Sequence, residues 1–262
     1  MFKTLQIETT TFCNASCWFC PNAELDEYKY MPMNDILSII DTTKDFVKVY
    51  RPFGLGEPLV DKRMPDICKY IKENTNAAVE LNTNAAPLTA SKAALIAPYV
   101  DLIRFSIDGY SSEAVGAIRR INGAIAINNT EHFLLTYPNL VCEVRMVDTP
   151  DYKHEQLKFI DYWNTIRPGC AKITKLYNHP WENQTESTND PCLKCQNEAF
   201  IYVDGSVHPC PWDFGNREIL GNIHSSSIAD IWKSYKFKQF REKLLKGHRS
   251  SYTLCSRCDA KF

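Results

Sequence analysis

The sequence has almost no net charge: across 262 residues, 30 lysines and arginines face 31 aspartates and glutamates. No basic run breaks that balance, so the charge pattern gives no reason to expect nucleic acid or an anionic membrane as partner. Long apolar runs are missing as well, whereas a membrane-spanning helix needs about 20 mainly apolar residues in a row. The opening Met1-Phe2-Lys3-Thr4-Leu5-Gln6-Ile7-Glu8 lacks the apolar core of a secretory signal. There is no internal repeat and no low-complexity segment. These absences set the expectation of a cytoplasmic globular protein, long enough for one large α/β domain and a small appendage.

Cysteine, by contrast, is abundant, with eleven residues. In a reducing compartment such thiols are ligands more often than bridges. Their placement is uneven. Cys13, Cys17 and Cys20 crowd one end, and Cys192, Cys195, Cys210, Cys255 and Cys258 the other. Only Cys68, Cys142 and Cys170 lie between, so two separate sites are expected.

Strand-like and helix-like runs alternate up to about residue 178. Strands are expected around Leu5 and Ile7 and over Asp45 to Phe53, Val79 to Thr83, Leu102 to Ile107, Leu140 to Val147 and Lys172 to Leu176. Between them, Met33 to Thr43 carries a helical stripe of Ile36, Leu37, Ile39 and Ile40. Further helices are expected over Asp61 to Glu73, Ala90 to Ala97, a stretch ending near Leu135, and Glu155 to Trp163. Six β-α units argue for an α/β fold of parallel strands with crossover helices, an open or partial barrel over 1–178. Sites in such folds lie at the C-terminal strand ends, where the first cysteine group falls. The pattern changes over 179–262. His179 to Pro191 reads as a linker, Asp204-Gly205 as a hairpin turn, and Ile228 to Leu245 as one amphipathic helix stopped at Gly247.

Cys13-Asn14-Ala15-Ser16-Cys17-Trp18-Phe19-Cys20 has the form C-x3-C-x2-C. Three thiolates on one tight loop can hold three irons of a cubane cluster. With no fourth ligand in the loop, one iron stays open. S-adenosylmethionine (SAM) can chelate it through its amino and carboxylate groups. An electron from the cluster then breaks the sulfonium and frees a 5′-deoxyadenosyl radical. Phe19 can pack beside the adenine. A zinc knuckle is the competing reading, but knuckles supply four ligands in paired spacings.

Other rim residues fit the same ligand. Gly54 and Gly56 in Phe53-Gly54-Leu55-Gly56-Glu57-Pro58 allow close backbone approach, and Glu57 can accept from a ligand ammonium. Taken by itself the segment would be a loop with two turn glycines. Asn82 and Thr83 end the third strand, and Ser106 and Asp108 the fourth, where ribose hydroxyls and a carboxylate need partners. One of Arg119 and Arg120, with Arg120 the candidate, can pair with the SAM carboxylate; a solvated helix face is the alternative. Arg145 shares a strand face with Glu143 and Val147, opposite Cys142 and Val144. It can point into the barrel mouth as a catalytic residue, or reach solvent from the strand end.

Cys192-x2-Cys195, Cys210 and Cys255-x2-Cys258 offer five candidates for a four-thiolate site. Two CxxC pairs also suit structural zinc. Cys210 favours a fully ligated iron–sulfur cluster, because zinc would be satisfied without it. Cys195 is then the spare residue.

Together, Cys13-x3-Cys17-x2-Cys20, Gly54-Leu55-Gly56-Glu57-Pro58 and Ser106-Ile107-Asp108-Gly109 resemble the radical SAM core. Cys192, Gly205-x4-Cys210, Leu220-Gly221-Asn222-Ile223, Ala229-Asp230-Ile231-Trp232, Phe240-Arg241 and Cys255-x2-Cys258 resemble the SPASM/Twitch extension of that family. The resemblance implies a partial (β/α)6 TIM-like barrel with a small C-terminal domain, SAM, and two [4Fe–4S] clusters, one catalytic and one auxiliary. It also implies a reductase, flavodoxin or ferredoxin as electron donor. The chain stops four residues after Cys258, which suits the one-cluster Twitch form. Short Twitch enzymes that oxidise aminocyclitols are similar in Cys17-Trp18-Phe19-Cys20-Pro21-Asn22 and Gly247-His248-Arg249.

The leading functional expectation is oxidation of a secondary alcohol of a sugar or aminocyclitol, with the electron passed to the auxiliary cluster. A peptide-modifying enzyme, forming a thioether or epimerising a residue, is the second reading. A non-enzymatic zinc-binding interaction protein is the third.

Overall fold

A computed structural model describes residues 1–176, 190–258 and 260. Six strands come first: β1 (Thr4–Ile7), β2 (Val49–Arg51), β3 (Ala78–Thr83), β4 (Leu102–Ser106), β5 (Val141–Asp148) and β6 (Ala171–Lys175). Helices α1 (Met33–Thr43), α2 (Met64–Asn74), α3 (Ala90–Ile96), α4 (Ser112–Arg119), α5 (Gly123–Thr136) and α6 (Gln156–Ile166) connect them. Neighbouring strands run parallel, as in Leu81↔Ile103 and Phe105↔Val144. The local causes are the expected ones. In α1 the buried residues Ile36, Ile39, Ile40 and Thr43 recur at i, i+3, i+4 and i+7 and face the sheet. In β3 burial alternates residue by residue.

Two helices expected as single runs are broken. Arg120 ends α4 in the left-handed region, at φ 55°, and Asn122 restarts the chain by accepting from the Ile125 amide at 3.1 Å. Ser234 divides the C-terminal helix into α8 (Ile228–Lys233) and α9 (Tyr235–Leu245), following the short α7 (Lys194–Asn197). Its ψ of 154° leaves the helix, and its hydroxyl caps the next one.

Past the barrel strands come β7 (Glu198–Ile201), β8 (Ser206–His208) and β9 (Gly221–Asn222). Among the described residues the strands make one sheet, in the order β6-β5-β4-β3-β2-β1-β7-β8-β9. β7 pairs in parallel with β1, with Leu5 opposite Ala199, and β8 and β9 follow antiparallel. The C-terminal part is thus a lateral extension of the barrel wall. The expected boundary at 178 lies outside the described residues, as does most of the linker at 179–191. No helix among the described residues is long and apolar enough to cross a membrane.

The helix-facing side of the strands is apolar, with Leu5, Tyr50, Val79, Ile103, Phe105 and Val144 buried. The lumen side is charged. Lys194, Glu198, Arg51, Glu80, Arg104, Glu143 and Arg145 form a chain of alternating sign. Its contacts, in that order, are 2.5, 3.2, 2.8, 2.9, 3.3 and 2.5 Å. Period-two alternation places the six strand residues on one face, Lys194 joins them from α7, and paired charges can be held in a half-buried lumen where lone ones could not.

Candidate active site and metal centres

The first cysteine group lies just past β1. Thr9, Thr10 and Thr11 are buried there. Thr10 and Thr11 are clamped to Lys29 (Thr10 Oγ1 to the Lys29 carbonyl, 3.1 Å; Lys29 amide to Thr11 Oγ1, 2.7 Å). The glycine loop packs directly onto this backbone. A Cβ on Gly56 would lie 2.4 Å from the Thr10 carbonyl oxygen and 2.6 Å from that of Phe12. The Glu57 amide donates to the Phe12 carbonyl at 2.9 Å. Gly54 leaves room for Glu8, which accepts from the Leu55 and Val203 amides at 2.9 and 3.1 Å and so ties the glycine loop to the end of β7. Burial pushes the Glu8 carboxyl up to about 7.

Burial also raises the thiols of Cys13, to about 12, and of Cys17 and Cys20. Arg119 stands beside them. Its Nη1 approaches Cys17 Sγ at 3.7 Å, its guanidinium carbon lies 5.9 Å from the Phe19 ring centre, and its Nη2 is 2.5 Å from Asp108. Its Nε is buried without a hydrogen-bond partner. An orphaned cationic donor against three thiols fits an anionic iron–sulfur cluster, whose sulfides accept such bonds.

Four expected ligand contacts turn out differently. Arg120 is exposed; the left-handed end of α4 sends Arg119 inward instead. Asp108 is buried and holds Arg119 and the Val147 amide (2.7 Å), so its carboxylate is engaged by protein groups and positions the arginine. Thr83 faces away from the lumen and donates to Glu57 at 2.6 Å. Glu57 also accepts from the Asn84 and Leu59 amides at 2.7 and 3.1 Å, which commits its carboxylate to protein groups. Asn84 in turn bonds Asn14 of the cysteine loop at 2.9 Å. Asn82 and Ser106 keep to the lumen face, and Asn82 Oδ1 is buried with no partner, free for a ligand.

The second cysteine group encloses a small cavity lined by Cys192, Cys195, Cys210, Cys255 and Cys258 together with Arg249. Arg249 is 1% exposed and donates to the carbonyls of Asp190, Cys258 and Ala260, while its Nη2 has no partner. This is a second buried cation beside thiols. Cys195 donates to the Cys192 carbonyl at 3.3 Å. The neighbouring Cys195 thiol holds the Cys192 thiol below its ordinary range, and the charge of Arg249 acts in the same direction. Burial raises Cys210 to about 12. Among the described residues no three His, Cys, Asp or Glu side chains gather around a single metal ion.

The loop bearing Cys210 is fixed by a buried set. His208 Nδ1 meets Asp213 Oδ2 at 2.7 Å, and its Nε2 meets Ser206 Oγ at 3.0 Å. Asp213 also accepts from the Arg217 and Glu218 amides at 2.9 and 2.8 Å. The trio resembles a hydrolase triad but is sealed from the cavities, and Ser206 Oγ is engaged by Asp204 at 2.6 Å. Asp213→Ala strands one buried group, His208 Nδ1, and two half-buried amides, a buried group left unpaired costing about 1–3 kcal/mol. The thermal midpoint of the variant is expected to fall by roughly 5 °C or more; an unshifted melting curve would rule out this structural role.

Between the two cysteine groups lies a chamber of about 370 Å³. Gln6, Arg51, Asn82, Arg104, Arg145 and Lys194 give it a polar lining, to which Phe53, Pro211, Trp212 and Phe214 add an apolar one. Gly54, Asn82, Trp212 and Phe214 also line the adjoining cavity beside Phe19 and Cys20. Trp212 reaches all three spaces. Arg51, Arg104, Lys194, Trp212, Glu8 and Arg249 were not expected as site residues. The two barrel arginines had a signal, each being a charge at an alternating position of an apolar strand. The others depend on chain pairing that spacing does not reveal.

Residues 7–153 match the family model described as the radical SAM superfamily, and residues 191–259 match an iron–sulfur cluster-binding domain. The S-adenosyl-L-methionine-dependent 2-deoxy-scyllo-inosamine dehydrogenase of Niallia circulans is 26% identical over 268 residues, 99% of this chain and 93% of that protein. A crystal structure of BtrN in complex with AdoMet and 2-DOIA superposes with a TM-score of 0.71 at 22% identity, over 99% of this chain and 94% of that one. Streptococcus suis SuiB bound to its precursor peptide SuiA gives 0.70 at 15% identity, over 100% and 72%.

Proposed function

This chain belongs to the radical SAM superfamily, and from that premise we propose that it oxidises a secondary alcohol of a small polyol, a sugar or aminocyclitol. It is an oxidoreductase whose cofactors are SAM and two [4Fe–4S] clusters. When bound, these supply a 5′-deoxyadenosyl radical to take hydrogen from carbon and an acceptor for the electron left behind.

The remaining tasks fall to side chains. Cys13, Cys17 and Cys20 would hold the catalytic cluster, with Arg119 donating to it. Gly54 lines the cavity beside Phe19 that would admit SAM, Gly56 lets the glycine loop pack on the cysteine-loop backbone, Asn82 accepts from SAM, and Phe19 packs on its adenine. Cys192, Cys210, Cys255 and Cys258 would hold the auxiliary cluster. Cys195 keeps its proton, since its thiol already donates to a carbonyl. Arg145 leans on Glu143 through Nε and Nη2 at 2.9 and 2.5 Å, leaving Nη1 for the substrate hydroxyl oxygen. A cationic donor there favours release of the hydroxyl proton as the carbon is oxidised. A reductase, flavodoxin or ferredoxin would supply electrons.

The observation that carries this reading is the chamber: small, polar-lined, and set between the two cysteine groups. It suits one small polyol. Peptide modification begins with the same radical step, and the fold shared with SuiB is compatible with it, but a peptide needs an extended groove. Polyols deuterated at their carbinol carbons test the choice. Deuterium should appear in 5′-deoxyadenosine together with a ketone product; label transfer from peptides alone would reject polyol oxidation. Cys210→Ala should still form 5′-deoxyadenosine yet yield no ketone. An undiminished ketone yield would remove the auxiliary cluster from the reaction.

A further inference from the structure

Arg51, Arg104, Arg145 and Lys194 line the chamber, and among the described residues no acidic side chain does. The ion chain behind it pairs Arg51, Arg104 and Arg145 with Glu80, Glu143 and Glu198. Each carboxylate receives its cations through Oε2. The guanidiniums have donors to spare. Arg51 uses Nε and Nη1, Arg104 uses Nε and Nη1, and Arg145 uses Nε and Nη2. One η-nitrogen of each therefore has no protein acceptor among the described residues. Burial pulls Arg145 below its usual range, and the neighbouring charges of Arg104 and Arg51 add to that pull. Phe53, Trp212 and Phe214 add apolar surface to the lining.

We infer that Arg51 and Arg104 hold an oxyanion of the substrate while Arg145 meets the hydroxyl being oxidised, so that the compound oxidised is an anionic polyol bearing a carboxylate or a phosphate. The inference rests on the polyol-oxidation reading and narrows it: a free aminocyclitol would bring an ammonium to a lining that offers it guanidinium donors and, among the described residues, no carboxylate. Planar guanidiniums with unused paired donors are suited to carboxylate and phosphate oxygens.

The test is equilibrium binding to the anaerobic protein carrying both clusters and SAM. Glucuronate and glucose 6-phosphate serve as anionic probes, glucose and glucosamine as neutral and cationic ones. At least one anionic probe should bind roughly tenfold or more tightly than glucose, with glucosamine weakest, and the comparison of the two anions identifies the oxyanion. Arg51→Gln should lower the anion affinity roughly tenfold while Arg51→Lys loses less. If Arg51→Gln does not fold, loss of the anion preference on raising salt in the unmodified protein is the substitute. Equal binding of glucose, glucosamine and the anions would overturn the inference. So would an Arg51→Gln variant that loses SAM affinity and leaves anion affinity unchanged, since the arginines would then hold the SAM carboxylate. Tight anion binding without deuterium transfer from any polyol would keep the anion site and reject alcohol oxidation.

Discussion

Cys17→Ala protein, reconstituted without oxygen, is expected to hold one cluster's worth of iron in place of two and to release no 5′-deoxyadenosine. Three thiolates are the fewest that can anchor a cubane and still leave an open iron. The loop offers no substitute, because its remaining side chains are Asn14, Ala15, Ser16, Trp18 and Phe19. Cys17 is also the thiol that Arg119 approaches. Its loss therefore removes a ligand and leaves a buried guanidinium facing an alanine. The C-terminal cavity shares no residue with this loop, so its cluster should persist. Iron and sulfide analysis with the visible spectrum reads the first half of the prediction, and chromatography of SAM cleavage products reads the second. Full iron content with retained cleavage in Cys17→Ala would reject the three-thiolate site. Cys13→Ala and Cys20→Ala should behave alike.

Gly56→Ala should have nearly as large an effect with no ligand touched. The added Cβ would sit 2.4 to 2.6 Å from the carbonyl oxygens of Thr10 and Phe12. Both are backbone atoms of a segment clamped to Lys29, and the next residue is Cys13. Neither side can yield without moving the cysteine loop or the Glu57 anchor. A shift of about 1 Å in a catalytic constellation can lower rates by roughly a hundredfold. SAM cleavage is expected to drop at least that far, with N-terminal cluster occupancy reduced and the auxiliary cluster intact. Wild-type cleavage rates in this variant would mean that the glycine contact is dispensable. Gly54→Ala should also be costly, because its Cβ would lie 2.5 to 2.6 Å from Cγ, Oε1 and Cβ of Glu8, a buried side chain held by the Leu55 and Val203 amides.

Much of the architecture was legible because its causes are local. The α1 stripe, the alternation in β3 and β5, and the turn at Gly205 (φ 80°) each depend on a few consecutive residues. Breaks were harder to see. Arg120 and Ser234 interrupt helices in runs whose hydrophobic spacing continues across them. One residue of register then decides between neighbours, which is how Arg119 came to face the thiols and Arg120 the solvent. Glu57 and Thr83 were recognised as rim residues, but their mutual bond turns both away from a ligand.

Thiol spacing, strand order and the alternating charges of the barrel strands are written in the sequence, since covalent connection and side-chain periodicity act over a handful of residues. Tertiary structure alone brought β7 beside β1, laid Trp212 across the chamber, and joined Lys194 to Arg145 through five intervening charges. The ion pairs among them link residues up to 147 positions apart, and the pairing of β1 with β7 links residues farther apart still. They are chosen by which buried charges can neutralise one another once the chain has closed, a condition that no local pattern encodes.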